Sequence, residues 1–170
     1  MIAGVILSDS LDRETRVAFL DDELDVHSVE TNAEIVELLD EYQPEVIAFD
    51  VGTDQGKDEF TSDEQDLQDE GYIFTPNSHQ EKKVERLQSL EKHIKHKLGY
   101  IPEFIRFEPQ ITARELMLDD EEALSSIGVE GDIDGAREFD AVLGAVTARF
   151  YSQGQYEEYG VVVPESLDKA

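Results

Sequence analysis

The sequence predicts an α/β fold: one mixed five-stranded sheet, three antiparallel strands followed by parallel strands, flanked by helices. Three observations predict it. Three short apolar or alternating segments open the chain, joined by polar links too short for a crossover. An apolar run, Val46-Ile47-Ala48-Phe49, then follows a capped helical segment. Beyond it, helix-period and strand-period segments alternate to the end.

The elements follow in order. Ile2 to Leu7 is apolar and ends in the turn signal Ser8-Asp9-Ser10. Thr15 to Leu20 is a second short run, closed by Asp21-Asp22-Glu23. Leu24 to Glu30 alternates Leu, Val and Val with Asp, His and Glu, as a half-exposed strand does. Thr31 or Asn32 can cap the next helix, Ile35, Leu38 and Leu39 mark its apolar stripe, and Pro44 closes the segment. Glu45 to Val51 reads as a strand buried on both faces, the habit of a central sheet position.

Residues 54–70 hold eight acidic residues in seventeen and few apolar ones, which predicts a mobile, solvated acidic loop or a weak helix. Tyr72 to Pro76 re-enters ordered structure. Gln80 to Leu98 is helical, with Val84, Leu87, Leu90, Ile94 and Leu98 on one face and Gly99 and Pro102 as stop signals. Phe104 to Phe107 is another apolar strand, ending at Glu108-Pro109. Ile111 to Ile127 forms one helix or two short ones, and Val129 to Gly135 is a turn. Phe139 to Tyr151 is a helix in which Gly144, Ala145 and Ala148 permit close packing. Tyr159 to Val163 is a last short strand, and 165–170 reads as a frayed tail. With no repeat and no linker, residues 1–170 form a single domain.

The 170 residues suffice for a real core. Acidic residues number 41 against 14 basic, giving a formal net charge of −27. Periodic apolar segments recur throughout, so the acidity does not mean general disorder. It fits a salt-adapted, halophilic cytoplasm, where a Debye length near ~3 Å at molar salt screens surface repulsion. Cysteine is absent, which excludes disulfide and thiolate chemistry. The first residues lack the basic region and cleavage site of a secretory signal. No apolar run approaches the ~20 residues of a membrane span. The expectation is a soluble, cytoplasmic protein with no membrane contact.

Asp50 is the candidate that organises the rest. Val46 to Phe49 delivers one carboxylate to the end of a buried strand, with Val51, Gly52 and Thr53 directly after it. Buried carboxylates are rare unless something pairs with them. The alternative is a strand-end carboxylate bonded to nearby backbone N–H groups.

Val46-Ile47-Ala48-Phe49-Asp50-Val51 resembles the fourth-strand motif of predicted RNase H-like nucleases of unknown function, related to the Holliday-junction resolvase. Phe139-Asp140-Ala141-Val142-Leu143-Gly144-Ala145-Val146-Thr147-Ala148 is similar to the final helix of that group. Phe107-Glu108-Pro109 resembles its strand-end signature. The resemblance covers about 150 residues in order and spacing and implies an RNase H-like fold. It also implies a carboxylate site for Mg²⁺ or Mn²⁺, built from the first strand, the fourth strand and the last helix. Two such ions would stabilise the attacking and leaving oxygens of phosphodiester hydrolysis. Asp50 would take the fourth-strand role. Asp140, at the first turn of the last helix, would take the helix role, and Glu108 would be a further ligand.

The sequence departs from that pattern at the first strand. Gly4-Val5-Ile6 matches it, but Ile6 stands where the carboxylate is expected. Asp9, three residues later, is the substitute candidate for catalysis and metal binding. In regular strand geometry an odd step faces it away, unless a bulge restores its aim. The resemblance therefore implies either a metal-dependent nuclease or a catalytically weakened nucleic-acid-binding relative. A reading from a different class is a halophilic structural or regulatory domain that acts through protein contacts as a homo-oligomer.

The helix from Gln80 to Leu98 carries six of the fourteen basic residues and two of the four histidines, with His79 directly before it. Lys82, Arg86, His93 and Lys97 read as one stripe opposite the apolar face at about 100° per residue. In so acidic a chain this predicts a phosphate-tracking surface for nucleic acid. The alternatives are a solvated face paired locally with Glu81, Glu85 and Glu91, or docking onto a second subunit.

Overall fold

A computed structural model describes residues 1–9, 13–53 and 60–165. Its main sheet has five strands: β1 (Ile2–Ile6), β2 (Thr15–Leu20), β3 (Leu24–Val29), β4 (Val46–Phe49) and β5 (Glu103–Arg106). Their order is β3-β2-β1-β4-β5. The first three form an antiparallel meander, and β1, β4 and β5 run parallel. This is the mixed α/β architecture the sequence predicts.

Alternation along the strands divides the core into two layers. Ile2, Ile6, Val46 and Ala48 face one side, with α6 (Ala136–Ser152) packed on them. Ala3, Val5, Leu7, Ile47 and Phe49 face the other, under α1 (Asn32–Tyr42) and α3 (Glu81–Lys97). Thr31 caps α1, its side chain accepting from the Glu34 N–H at 3.1 Å. α3 carries the crossover from β4 to the parallel strand β5, so its first turn stands near the end of β4.

Gly4 fixes how closely α6 sits on β1. A Cβ there would lie 2.2 Å from the Ala141 carbonyl oxygen and 2.3 Å from the Ala145 nitrogen. Gly144 answers from the helix, where a Cβ would lie 2.5 Å from the Phe107 ring and 3.0 Å from the Gly4 Cα. The small residues thus allow backbone to meet backbone.

Of the two readings of the acidic stretch 54–70, loop or weak helix, the described part takes the helix. Residues 54–59 lie outside the described residues. After them, Ser62–Asp69 forms helix α2 with a capping box: Thr61 accepts from the Glu64 N–H, and the Glu64 carboxylate accepts from the Thr61 N–H. Glu64 and Leu67 are buried rather than solvated, Leu67 in a third small core with Ile111, Val161 and Val163. Ile111 belongs to α4 (Pro109–Leu116), the first of two short helices, and α5 (Glu121–Ser126) is the second.

The last strand is corrected. Gly160 takes a positive φ of 72° and breaks the apolar run, so the segment is a hairpin, β6 (Tyr156–Glu158) and β7 (Val162–Pro164), separate from the main sheet. Of the tail, Glu165 donates its N–H to the Gln155 carbonyl, and 166–170 lie outside the described residues. Among the described residues no helix is long and apolar enough to cross a membrane.

Candidate functional site

The carboxyl ends of β1, β4 and β5 form one edge of the sheet, and Asp50 stands there, directly after β4. It is 7% exposed. Its N–H continues the parallel ladder to the Val5 carbonyl. Its Oδ1 accepts from the Leu7 N–H at 3.1 Å, and its Oδ2 forms an ion pair with Lys83 Nζ. The sequence expectation of a paired strand-end carboxylate is met by a lysine from the first turn of α3.

Glu108 closes β5 on the same edge and is buried. Arg106 donates from one terminal nitrogen to Glu108 Oε1 at 3.4 Å and to the Thr75 carbonyl at 3.2 Å. Its other terminal nitrogen donates to Glu64 Oε2 at 2.9 Å. Glu64 also accepts from the Asn77 N–H at 2.8 Å, and Asn77 Oδ1 accepts from the Gly52 N–H at 3.2 Å. The residue after the Asp50–Val51 pair is therefore tied, through Asn77, to the same guanidinium.

The charges act on one another. Burial pushes the Glu108 carboxyl up to about 7, with Asp50 adding to the rise and Arg106 and Lys83 opposing it. Burial acts to raise Glu64 as well, but the N–H groups of Thr61 and Asn77 and the Arg106 guanidinium outweigh it and hold Glu64 below its ordinary value. Asp140 is raised by burial and by the charge of Asp50, against a smaller opposing effect of Arg137. Asp50, Glu108 and Asp140 thus form one electrostatic group. Asp140 lies a turn deeper in α6 than the sequence suggests, because the helix begins at Ala136.

Asp9 is exposed, beyond the end of β1, and lines a depression with Gln80, Lys82 and Lys83. Ile6 stays on the α6 face, 7% exposed and packed in the apolar core. By the Val5↔Phe49 register, the next pair along the ladder is Ile6 beside Asp50. A branched alkyl side chain occupies the place beside Asp50 where a second carboxylate would have to stand.

The donor set does not suit a divalent metal. Mg²⁺ and Mn²⁺ take hard oxygen ligands carrying net negative charge. Here one Asp50 oxygen already accepts a backbone N–H, the other is paired with an ammonium, and Glu108 is paired with a guanidinium. Among the described residues no group of three His, Asp or Glu is arranged to hold a metal ion. Of the four residues expected to hold a metal, Asp50, Asp140, Asp9 and Glu108, two already carry a resident cation: Asp50 has Lys83 and Glu108 has Arg106.

Arg86 stands apart from the rest of the expected basic stripe. Arg86 donates to the Ser8 carbonyl at 2.9 Å, Ser8 Oγ at 2.7 Å, Thr15 Oγ1 at 3.2 Å, the Glu30 carbonyl at 2.9 Å and Asn32 Oδ1 at 2.9 Å. It staples the ends of β1 and β3 to the starts of β2 and α1. The physical reason lies on the helical wheel: Arg86 and Leu90 are i, i+4 neighbours, so Arg86 borders the buried stripe instead of opposing it. Lys82, His93 and Lys97 are exposed, as are Lys92, Lys95 and His96.

The sequence reading missed Lys83, Arg106, Glu64 and Asn77. Lys83 had a signal: with Leu87, Leu90 and Ile94 it falls at i, i+4, i+7 and i+11, inside the apolar stripe. Glu64 had the Thr61-x-x-Glu64 box.

No family model and no curated protein matches the chain. Solved structures do. A Thermus thermophilus RuvC in complex with Holliday junction substrate superposes with a TM-score of 0.56 at 15% identity, covering 96% of this chain and 98% of that one. A second structure of RuvC from Thermus thermophilus gives 0.55 at 14% identity with the same coverage. The fold is RNase H-like. The RNase H-like framework accounts for the strand order and for the position of α6 across β1 and β4, and it agrees with the resemblance drawn from the strand-end motifs. At this identity the likeness carries the fold and no further.

Proposed function

We propose that this chain is a catalytically silent RNase H-like domain that binds nucleic acid without cleaving it. The observation that carries the reading is the replacement at the strand edge. Ile6 stands beside Asp50, Lys83 is paired with Asp50 and Arg106 with Glu108, so two of the carboxylates that hydrolysis with a divalent ion would use are occupied. The binding part rests on α3. Lys82, Lys92, Lys95 and Lys97 are exposed along it, with His93 and His96 among them. Lys82 to Lys97 spans about 22 Å of helix, enough to follow several phosphates. At high salt the long-range repulsion of a −27 chain is screened, and local contacts decide.

The test is fluorescence anisotropy with labelled duplex, single-stranded and four-way-junction probes over a range of KCl concentrations. Binding is expected, and Lys92→Glu/Lys97→Glu should weaken it and change the log–log salt slope by about 2. Absence of binding to every probe at every salt concentration would overturn the proposal. It would favour the second reading, docking to a protein. That reading has its own support in Ile73, Ile101 and Met117, which are each about 80% exposed.

A further inference from the structure

We infer that Lys83 is the permanent counter-ion of Asp50 and keeps divalent cations out of the strand edge. The inference deepens the proposal above and depends on it only for the absence of cleavage.

Four observations meet at this point. Lys83 lies in the buried stripe of α3, its side chain 17% exposed, and its ammonium is paired with a carboxylate only 8% exposed. A charge so placed is held there by its partner, because an unpaired ammonium would cost more desolvation than the helix could offset. Ile6, the next residue in register beside Asp50, brings no oxygen. The second Asp50 oxygen is engaged by the Leu7 N–H. Glu108 has its own resident cation in Arg106, which Glu64 and Thr75 hold in place.

A divalent ion entering here would have to displace the ammonium from its carboxylate and then sit beside it. Like charges at contact distance repel strongly where water is scarce. The ammonium also differs from a metal ion in kind: it offers three N–H donors and no coordination sphere, so it can hold a carboxylate but cannot activate a water. The edge carries a covalently attached cation in the place of an exchangeable one.

The experiment counts bound Mn²⁺ from the electron paramagnetic resonance signal of the free aqueous ion. Molar KCl suppresses loose binding to the acidic surface. Wild type and the exposed-neighbour variant Lys82→Met should give the same signal, unchanged by Asp50→Asn. Ile6→Asp/Lys83→Met should gain one site per chain, and that site should vanish when Asp50→Asn is added. An Asp50-dependent Mn²⁺ site in the wild type would overturn the inference, as would a folded double variant that gains no site.

If the double variant fails to fold, Ile6→Asn/Lys83→Gln, which also supplies an oxygen beside Asp50, decides through its thermal melt. Its Tm should fall and should recover by roughly 5–10 °C at Mn²⁺ about a hundredfold above Kd, with no such recovery in wild type. Equal melting with and without Mn²⁺ would refute the inference. Failure of the anisotropy experiment leaves this result standing, and the reverse also holds, so the two claims fall separately.

Discussion

Replacing Gly4 by alanine tests the contact that seats the last helix on the sheet. The added Cβ would meet the Ala141 oxygen at 2.2 Å, the Ala145 nitrogen at 2.3 Å and the Gly144 carbonyl carbon at 2.6 Å. All three are backbone atoms of α6, so no side chain can rotate away. The helix would have to withdraw by about 1 Å, and a gap of that size forfeits a quarter to a half of each dispersion contact across the interface. Ala141, Val142, Ala145, Val146 and Ala148 are fully buried there. Overpacking ordinarily costs about 1–3 kcal/mol, and rigid partners place this case at or above the upper end, near 3 kcal/mol. For a chain of this size that lowers Tm by roughly 6–12 °C. Gly99→Ala is the control, since nothing lies within 4 Å of its added Cβ, and it should stay within about 0.5 kcal/mol of wild type. Urea unfolding followed by circular dichroism reads both. A Gly4→Ala loss below about 1 kcal/mol would refute the close seating of α6.

Three further outcomes follow from the site. Arg86→Lys should destabilise nearly as much as Arg86→Ala, by about 2–4 kcal/mol in urea unfolding, because one ammonium cannot replace five donations in a fork; full rescue by lysine would contradict the staple. Lys83→Met and Asp50→Asn should each cost about 3 kcal/mol, and the double variant much less than their sum, a coupling that a double-mutant cycle measures and that additivity would disprove. Glu108 is pushed up to about 7, so between its ordinary 4.5 and 7 the folded chain keeps a proton the unfolded chain has lost. Its contribution is favourable at low pH and is lost as pH rises through 7, by at most about 3 kcal/mol. Wild type should therefore lose stability relative to Glu108→Gln from pH 5 to pH 8, and a pH-independent difference would count against the burial of that carboxyl.

The parts of the fold that repeat a period were legible in the sequence. The alternation in Leu24 to Glu30 and the apolar run before Asp50 located β3 and β4 because each strand's burial is written in its own residues. The small residues of α6 announced a close approach for the same reason. Distant partners were not legible. Nothing local to Arg86 tells that the ends of β1 and β3 fold over it, and a stripe of cations on a wheel looks the same whether its neighbours are water or carbonyl oxygens. In the acidic stretch the count of charges left loop and weak helix open, while the Thr61–Glu64 box and the lone Leu67 carried the deciding information: a capped helix with one residue for a core. At the site, Asp50 was visible as a buried carboxylate in need of a partner. The resemblance supplied a metal ion for that role, and the structure supplies Lys83, whose place in the apolar stripe of α3 was the overlooked signal.

The most direct measurement is cleavage itself. Wild type and Asp50→Asn are incubated with Mn²⁺ in high salt and with labelled duplex, single-stranded and four-way-junction DNA and RNA, and the products are resolved on a denaturing gel. A strand edge whose carboxylates are held by Lys83 and Arg106 predicts intact strands in both lanes for every probe. Cleavage by wild type that disappears in Asp50→Asn would contradict it.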